Sequence, residues 1–203
     1  MCRRCAVQVV KYGKSSGVYT SYAKATAATY TRDQMCGEPA NSQGWFDPHF
    51  WNTALMTGLV PATTYYYVYG SDKYGWSEEA SFTSGIPTAP NTPVNVFVYA
   101  DMGMTELDGT SDHWPETEAY STARHMIDRM SEDNYTLALH VGDVSYATGY
   151  EAKWYLFDER YSGLASRIPV MMSLGNHERV RSTAAAAPVG APTSHCLHPR
   201  VFS

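Results

Sequence analysis

Hydrophobic and polar positions divide this chain into two grammars. From Val7 to Thr83, short apolar or aromatic runs alternate with turn residues, the pattern of strands joined by tight connections. Val7–Tyr12 predicts a strand closed by Gly13-Lys14-Ser15-Ser16-Gly17. Ala27–Arg32 predicts a second, and Thr53–Thr57, Tyr65–Tyr69 and Ser77–Thr83 complete the set. In Tyr65-Tyr66-Tyr67-Val68-Tyr69 the period of two turns alternate rings to opposite faces. The run Gly85-Ile86-Pro87-Thr88-Ala89-Pro90-Asn91-Thr92-Pro93 has no period and reads as a semi-extended linker. These patterns place one domain over 1–86, a linker over 87–93 and a second domain over 94–178.

The second grammar is β-α-β-α-β. Apolar runs at Val94–Ala100, Thr136–Val141 and Ile168–Leu174 predict strands. Glu116–Met130 predicts a helix, with Ala119, Ala123, Met126, Ile127 and Met130 on one face, and a polar loop over 104–116 precedes it. Tyr150–Gly163 predicts another, with Trp154, Phe157 and Tyr161 on one side. Strands alternating with helices imply parallel pairing through right-handed crossovers, so the three strand tips share one edge. From Arg179 the pattern collapses into alanines, prolines and glycine, and 179–203 is expected to be a disordered tail.

Charge narrows the partners. Fifteen Lys and Arg against 20 Asp and Glu, without a basic run, argue against nucleic acid or an anionic membrane. No window reaches the ~18 apolar residues of a membrane span. Sixteen tyrosines and five tryptophans suit β structure, and Trp45, Trp51 and Trp76 read as packing residues. Cys2 and Cys5 form a C-x-x-C that in isolation suggests zinc or redox chemistry, yet no second pair lies near, and the first residues of a chain commonly fray. The basic start Met1-Cys2-Arg3-Arg4 lacks the apolar core of a signal peptide, because Gln8 and Lys11 interrupt it. The sequon Asn134-Tyr135-Thr136 matters only if the chain enters the secretory route.

The chemistry sits at the strand ends. The three apolar runs stop at Asp101-Met102-Gly103, Gly142-Asp143-Val144-Ser145-Tyr146 and Gly175-Asn176-His177-Glu178. Open α/β sheets bind ligands outside the carboxyl ends of their strands. Singly, an aspartate there caps a turn, Asn176 does likewise and Tyr146 packs. Together, two carboxylates, a phenol and an amide oxygen form a donor set for hard cations. Asp143, at the central tip, is placed to bridge two ions. A pair of ions about 3.5–4 Å apart clamps a phosphate ester and acidifies water. His140, just before the Gly-Asp pair, reads as packing beneath the site.

These motifs resemble the first three metal motifs of the purple acid phosphatases, within the metallophosphoesterase superfamily. The likeness extends to Met35-Cys36-Gly37-Glu38-Pro39-Ala40, Gly44-Trp45-Phe46-Asp47-Pro48, Tyr65–Gly70 and Gly75-Trp76-Ser77. Those segments are similar to the fibronectin type III-like N-terminal domain of the larger, plant-type members, and Gly58-Leu59-Val60-Pro61 resembles the turn before a late strand of a fibronectin type III sandwich, where a leucine plugs the end of the core. The resemblance implies a partial β-sandwich followed by the first half of a metallophosphoesterase α/β sandwich, in a chain truncated at both ends. It implies Fe(III) with a divalent Fe, Zn or Mn ion, and hydrolysis of small phosphate monoesters at acidic pH. Asp101 and Tyr146 would bind the ferric ion, Asp143 would bridge, and Asn176 would bind the divalent ion. His177 would act beside the phosphate and Glu178 would orient it. The family completes its site with Val-x-x-His and Gly-His-x-His, which this sequence lacks; His195 and His198 match neither. Two alternatives follow, a non-catalytic binding module or a nucleotide phosphodiesterase or pyrophosphatase of the same fold. A secreted or vacuolar location is implied by resemblance only.

Overall fold

The computed structural model describes residues 9–35, 37–87, 89–104 and 119–178. The expected tail, all four cysteines, most of the polar loop over 104–116 and the first three residues of the expected first helix lie outside them.

The first grammar folds as one antiparallel sheet of β1 (Val9–Gly13), β2 (Ser21–Ala28), β3 (Trp51–Ala54), β4 (Thr64–Ser71), β5 (Gly75–Trp76) and β6 (Ala80–Thr83). The order is β3-β2-β1-β4-β5, with β6 pairing the first half of β4 while β5 pairs its end. Alternation sends Tyr65 and Tyr67 to the face where Phe82, Tyr12, Ala23, Met56 and Leu59 gather. The hydroxyl of buried Tyr65 accepts from the Val60 amide at 2.9 Å and fixes the preceding turn. Trp45 and Trp51 pack against a second cluster of Tyr30, Met35 and Ala40, and Lys11 lies 3.8 Å over the Trp76 ring.

Three strands differ from expectation, and one of them, β3, starts two residues before the expected Thr53–Thr57 and ends three before it. The second strand lies at Ser21–Ala28 rather than Ala27–Arg32. Its residues are mostly Ala, Thr and Ser, so alternation is faint. The expected segment instead turns through a 3-10 helix (Arg32–Gln34), where the Gln34 side chain accepts from the Thr31 amide at 2.8 Å. Of the expected strand Ser77–Thr83 only Ala80–Thr83 forms a strand, β6, while β5 precedes it at Gly75–Trp76 and Ser77-Glu78-Glu79 lies between the two. Glu79 leaves the ladder to take hydrogen bonds from the Ser16 hydroxyl, the Gly17 amide and the Tyr19 hydroxyl at 2.6–2.7 Å. Those bonds hold its carboxyl below the usual range.

The second grammar folds as expected, into β7 (Asn95–Tyr99), α1 (Ala119–Arg129), β8 (Tyr135–Val141), α2 (Glu151–Ala165) and β9 (Val170–Ser173). The strands are parallel, in the order β7-β8-β9, with Phe97 opposite Ala138 and Ala138 opposite Val170. One face packs on both helices through Phe97, Ala138, Met126, Trp154, Phe157 and Leu164. On the other face Val98, Val141 and Met171 are 54–65% exposed.

The two sheets are joined by more than the linker. The Glu151 amide donates to the Gly44 carbonyl at 3.0 Å, and the His49 amide donates to the Tyr155 hydroxyl at 2.7 Å. A side chain at Gly44 would overlap the Gly149 carbonyl, so the backbones meet there without room for a Cβ.

Candidate metal centre

Beyond the last residues of β7 and β8 the two chains keep running side by side. The amides of Asp101, Met102 and Gly103 donate to the carbonyls of Gly142, Asp143 and Val144 at 2.9–3.2 Å. This extension draws the two aspartate tips together. Tyr146 then turns back across them, and its hydroxyl donates to Asp101 Oδ1 at 2.9 Å.

The third tip joins through backbone. The 3-10 turn Asn176–Glu178 directs the His177 amide at Asp143 Oδ1, 2.9 Å away. The imidazole of His177 stacks on the Tyr146 ring with centroids 4.3 Å apart. Asn176 is exposed at the head of this turn. Gly175 passes so close to Asp143 that a Cβ there would overlap its carboxylate and its amide.

Glu178 occupies a different place from its neighbours. It is 4% exposed, and its carboxylate accepts from Val144 and Ser145 at 2.8 and 3.2 Å and from Gly175 at 2.9 Å. A buried carboxylate is tolerated when amides satisfy it. These three bonds tie the second tip to the third.

Backbone strain marks the same residues. Six described non-glycine residues have positive φ, and Asp101 (51°), Asp143 (44°), Tyr146 (50°) and Thr148 (48°) are four of them. Each such residue costs on the order of 1–3 kcal/mol, and strain of this kind collects at functional sites. Thr148 carries no sequence signal of its own, because strain at a threonine is visible only in the backbone.

Behind the tips His140 is 1% exposed, with the Tyr99 ring 4.6 Å away and Tyr161 and Phe157 beyond it. Burial pushes its pKa down to about 4, against the pull of the Asp143 backbone and the carboxylates of Asp101 and Asp143. It is a neutral packing residue.

A cation set can be tested against this geometry. Among the described residues no three of His, Cys, Asp and Glu converge on a common point. The donors that do converge are oxygens of mixed kind: Asp101 and Tyr146 already share a proton, and Asp143 lies on the adjoining tip. Carboxylate and phenol oxygens brought within hydrogen-bond distance are donors of the kind a hard cation takes. The residues fit such an ion on the Asp101 side.

By fold, the chain is an antiparallel sheet leading into a β-α-β-α-β unit whose polar residues collect at one carboxyl edge. The family model described as Purple acid Phosphatase, N-terminal domain matches residues 5–84. Probable inactive purple acid phosphatase 1 of Arabidopsis thaliana is 33% identical over 180 residues, covering 86% of this chain and 29% of its own length. Probable inactive purple acid phosphatase 9 of the same plant is 35% identical over 172 residues, covering 83% of this chain and 26% of its own. The solved structure of purple acid phosphatase PPD1 from yellow lupin (Lupinus luteus) seeds superposes with a TM-score of 0.76 at 29% identity, over 86% of this chain and 31% of that one. The chain belongs to the purple acid phosphatase family. It spans less than a third of the length of these relatives.

Proposed function

We propose that the three strand tips are one half of a binuclear metal centre for hydrolysis of small phosphate monoesters at acidic pH. The observation that carries the reading is the coincidence of strain with donors: Asp101, Asp143 and Tyr146 all hold positive φ, and the Tyr146 hydroxyl meets Asp101 at 2.9 Å. Asp101 and Tyr146 would hold Fe(III), Asp143 would be shared by both ions, and Asn176 would hold a divalent Fe, Zn or Mn ion, and the family's Val-x-x-His and Gly-His-x-His histidines would supply the further ligands. Bound ions of this kind supply positive charge for the phosphate and an acidified water.

The chain's own residues set the geometry. Glu178 locks the second and third tips together through three amides, which makes it a positioning residue. His177, half-buried and stacked on Tyr146, is the candidate proton donor to the leaving group. The likeness to plant relatives supports entry into the secretory route, towards the cell exterior or the vacuole.

A second reading is that the chain is a non-catalytic member, and the word inactive in the names of its relatives favours it. Hydrolysis of p-nitrophenyl phosphate at pH ~5 by the Fe- and Zn-loaded chain separates the two. Turnover abolished by Asp143→Asn supports catalysis. Metal binding without turnover supports the second reading.

A further inference from the structure

Between the two sheets, on the side away from the strand tips, lies a cleft of about 410 Å³. Its walls come from β4 and β6 on one side and from the loops before β8 and β9 on the other. That volume falls within the ~300–1,000 Å³ of sites that hold small molecules. Asn134 stands at its rim, in the loop between α1 and β8, and is exposed. Its carboxamide makes no hydrogen bond among the described residues, whereas Thr136, two residues on, is held at the start of β8 with its hydroxyl 3.4 Å from the Asn95 carbonyl.

Asn134-Tyr135-Thr136 is a glycan acceptor triplet without proline. The folded chain presents its asparagine at a loop, free of protein partners, beside a cavity with apolar and hydroxyl surface. Half-buried Tyr135 and Phe82 supply the apolar part, and Thr83 and Thr136 supply hydroxyls. Arg167 and Asp133 flank the opening. A sugar has one face of C–H groups and a rim of hydroxyls, and this lining matches both.

We propose that Asn134 carries an N-linked glycan whose innermost sugars seat in this cleft and brace the two sheets. The donor is a polyprenyl diphosphate-linked oligosaccharide. The Asn134 amide nitrogen bonds to the anomeric carbon, the carbon–oxygen bond to the diphosphate breaks, the amide loses one proton and the lipid diphosphate leaves. The inference rests on the secretory-route reading and is independent of the metal chemistry.

The test is translation of the full chain behind a vector-supplied leader in the presence of endoplasmic-reticulum microsomes. A gel shift reversed by peptide N-glycosidase, and absent from both Asn134→Gln and Thr136→Ala, is expected. Translocated chain without that shift overturns the proposal. Seating is tested on the glycosylated chain purified from a eukaryotic host: enzymatic removal of the glycan should lower the thermal midpoint by about 2–4 °C, equivalent to ~1 kcal/mol at this size. An unchanged midpoint overturns the bracing role. Because the leader is supplied, neither result depends on where the chain naturally resides, and fractionation of native tissue tests that separately.

Discussion

At the scale of single residues, the site is held by close approach as much as by hydrogen bonds. Gly175 leaves no room for a methyl group beside Asp143. Gly175→Ala should therefore push the Asp143 carboxylate away from the His177 amide and cost about 1–3 kcal/mol. Urea unfolding reads that loss as a lower midpoint at unchanged slope; a midpoint equal to the parent's would show that the tips are looser than described. His140 makes the second residue-scale prediction. Its folded pKa of about 4 lies below the ordinary 6.5, so between those values the unfolded chain binds the proton and the folded chain does not. The stability present above pH 6.5 is consequently lost as pH falls towards 4, at up to about 1.4 kcal/mol per pH unit. His140→Phe should flatten that slope, measured as urea midpoints from pH 7 to 4.5.

At the scale of elements, packing follows the helix periods seen in the sequence. Leu164, Trp154, Phe157 and Tyr161 line the buried side of α2. Leu164 is fully enclosed, and Leu164→Ala should cost about 2–5 kcal/mol in chemical unfolding. A loss under 1 kcal/mol would mean that α2 is not fixed against the sheet. The three parallel strands and both helices were readable because their apolar runs are long and end at sharp polar tips. Ser21–Ala28 was not, since small residues blur a period of two, and the break at Glu78-Glu79 was not, since it depends on where the Ser16–Tyr19 turn lies in space. At the site, the residue types at each tip were legible, but the backbone strain and the destination of the Glu178 carboxylate were not. Glu178 reads in sequence as a partner of His177, whereas the fold spends both oxygens on amides of two loops.

At the scale of the molecule, the parallel sheet is covered on one side only among the described residues. Val98 and Met171 flank Leu139 in register on the open face. Parallel sheets are ordinarily covered on both faces, and an apolar face left in water drives association. The pair Val98→Lys and Met171→Lys should lower self-association in sedimentation velocity while leaving the far-ultraviolet circular dichroism unchanged; association that persists would place the contact elsewhere. Metal binding belongs to the opposite feature, the polar edge that carries Asp101, Asp143, Tyr146 and Asn176. Its most direct test is titration of the chain with Fe(III), followed by visible absorbance. A phenolate-to-iron band that appears with the parent chain and is lost in Tyr146→Phe is the predicted result, and no band, or a band that survives Tyr146→Phe, would contradict it.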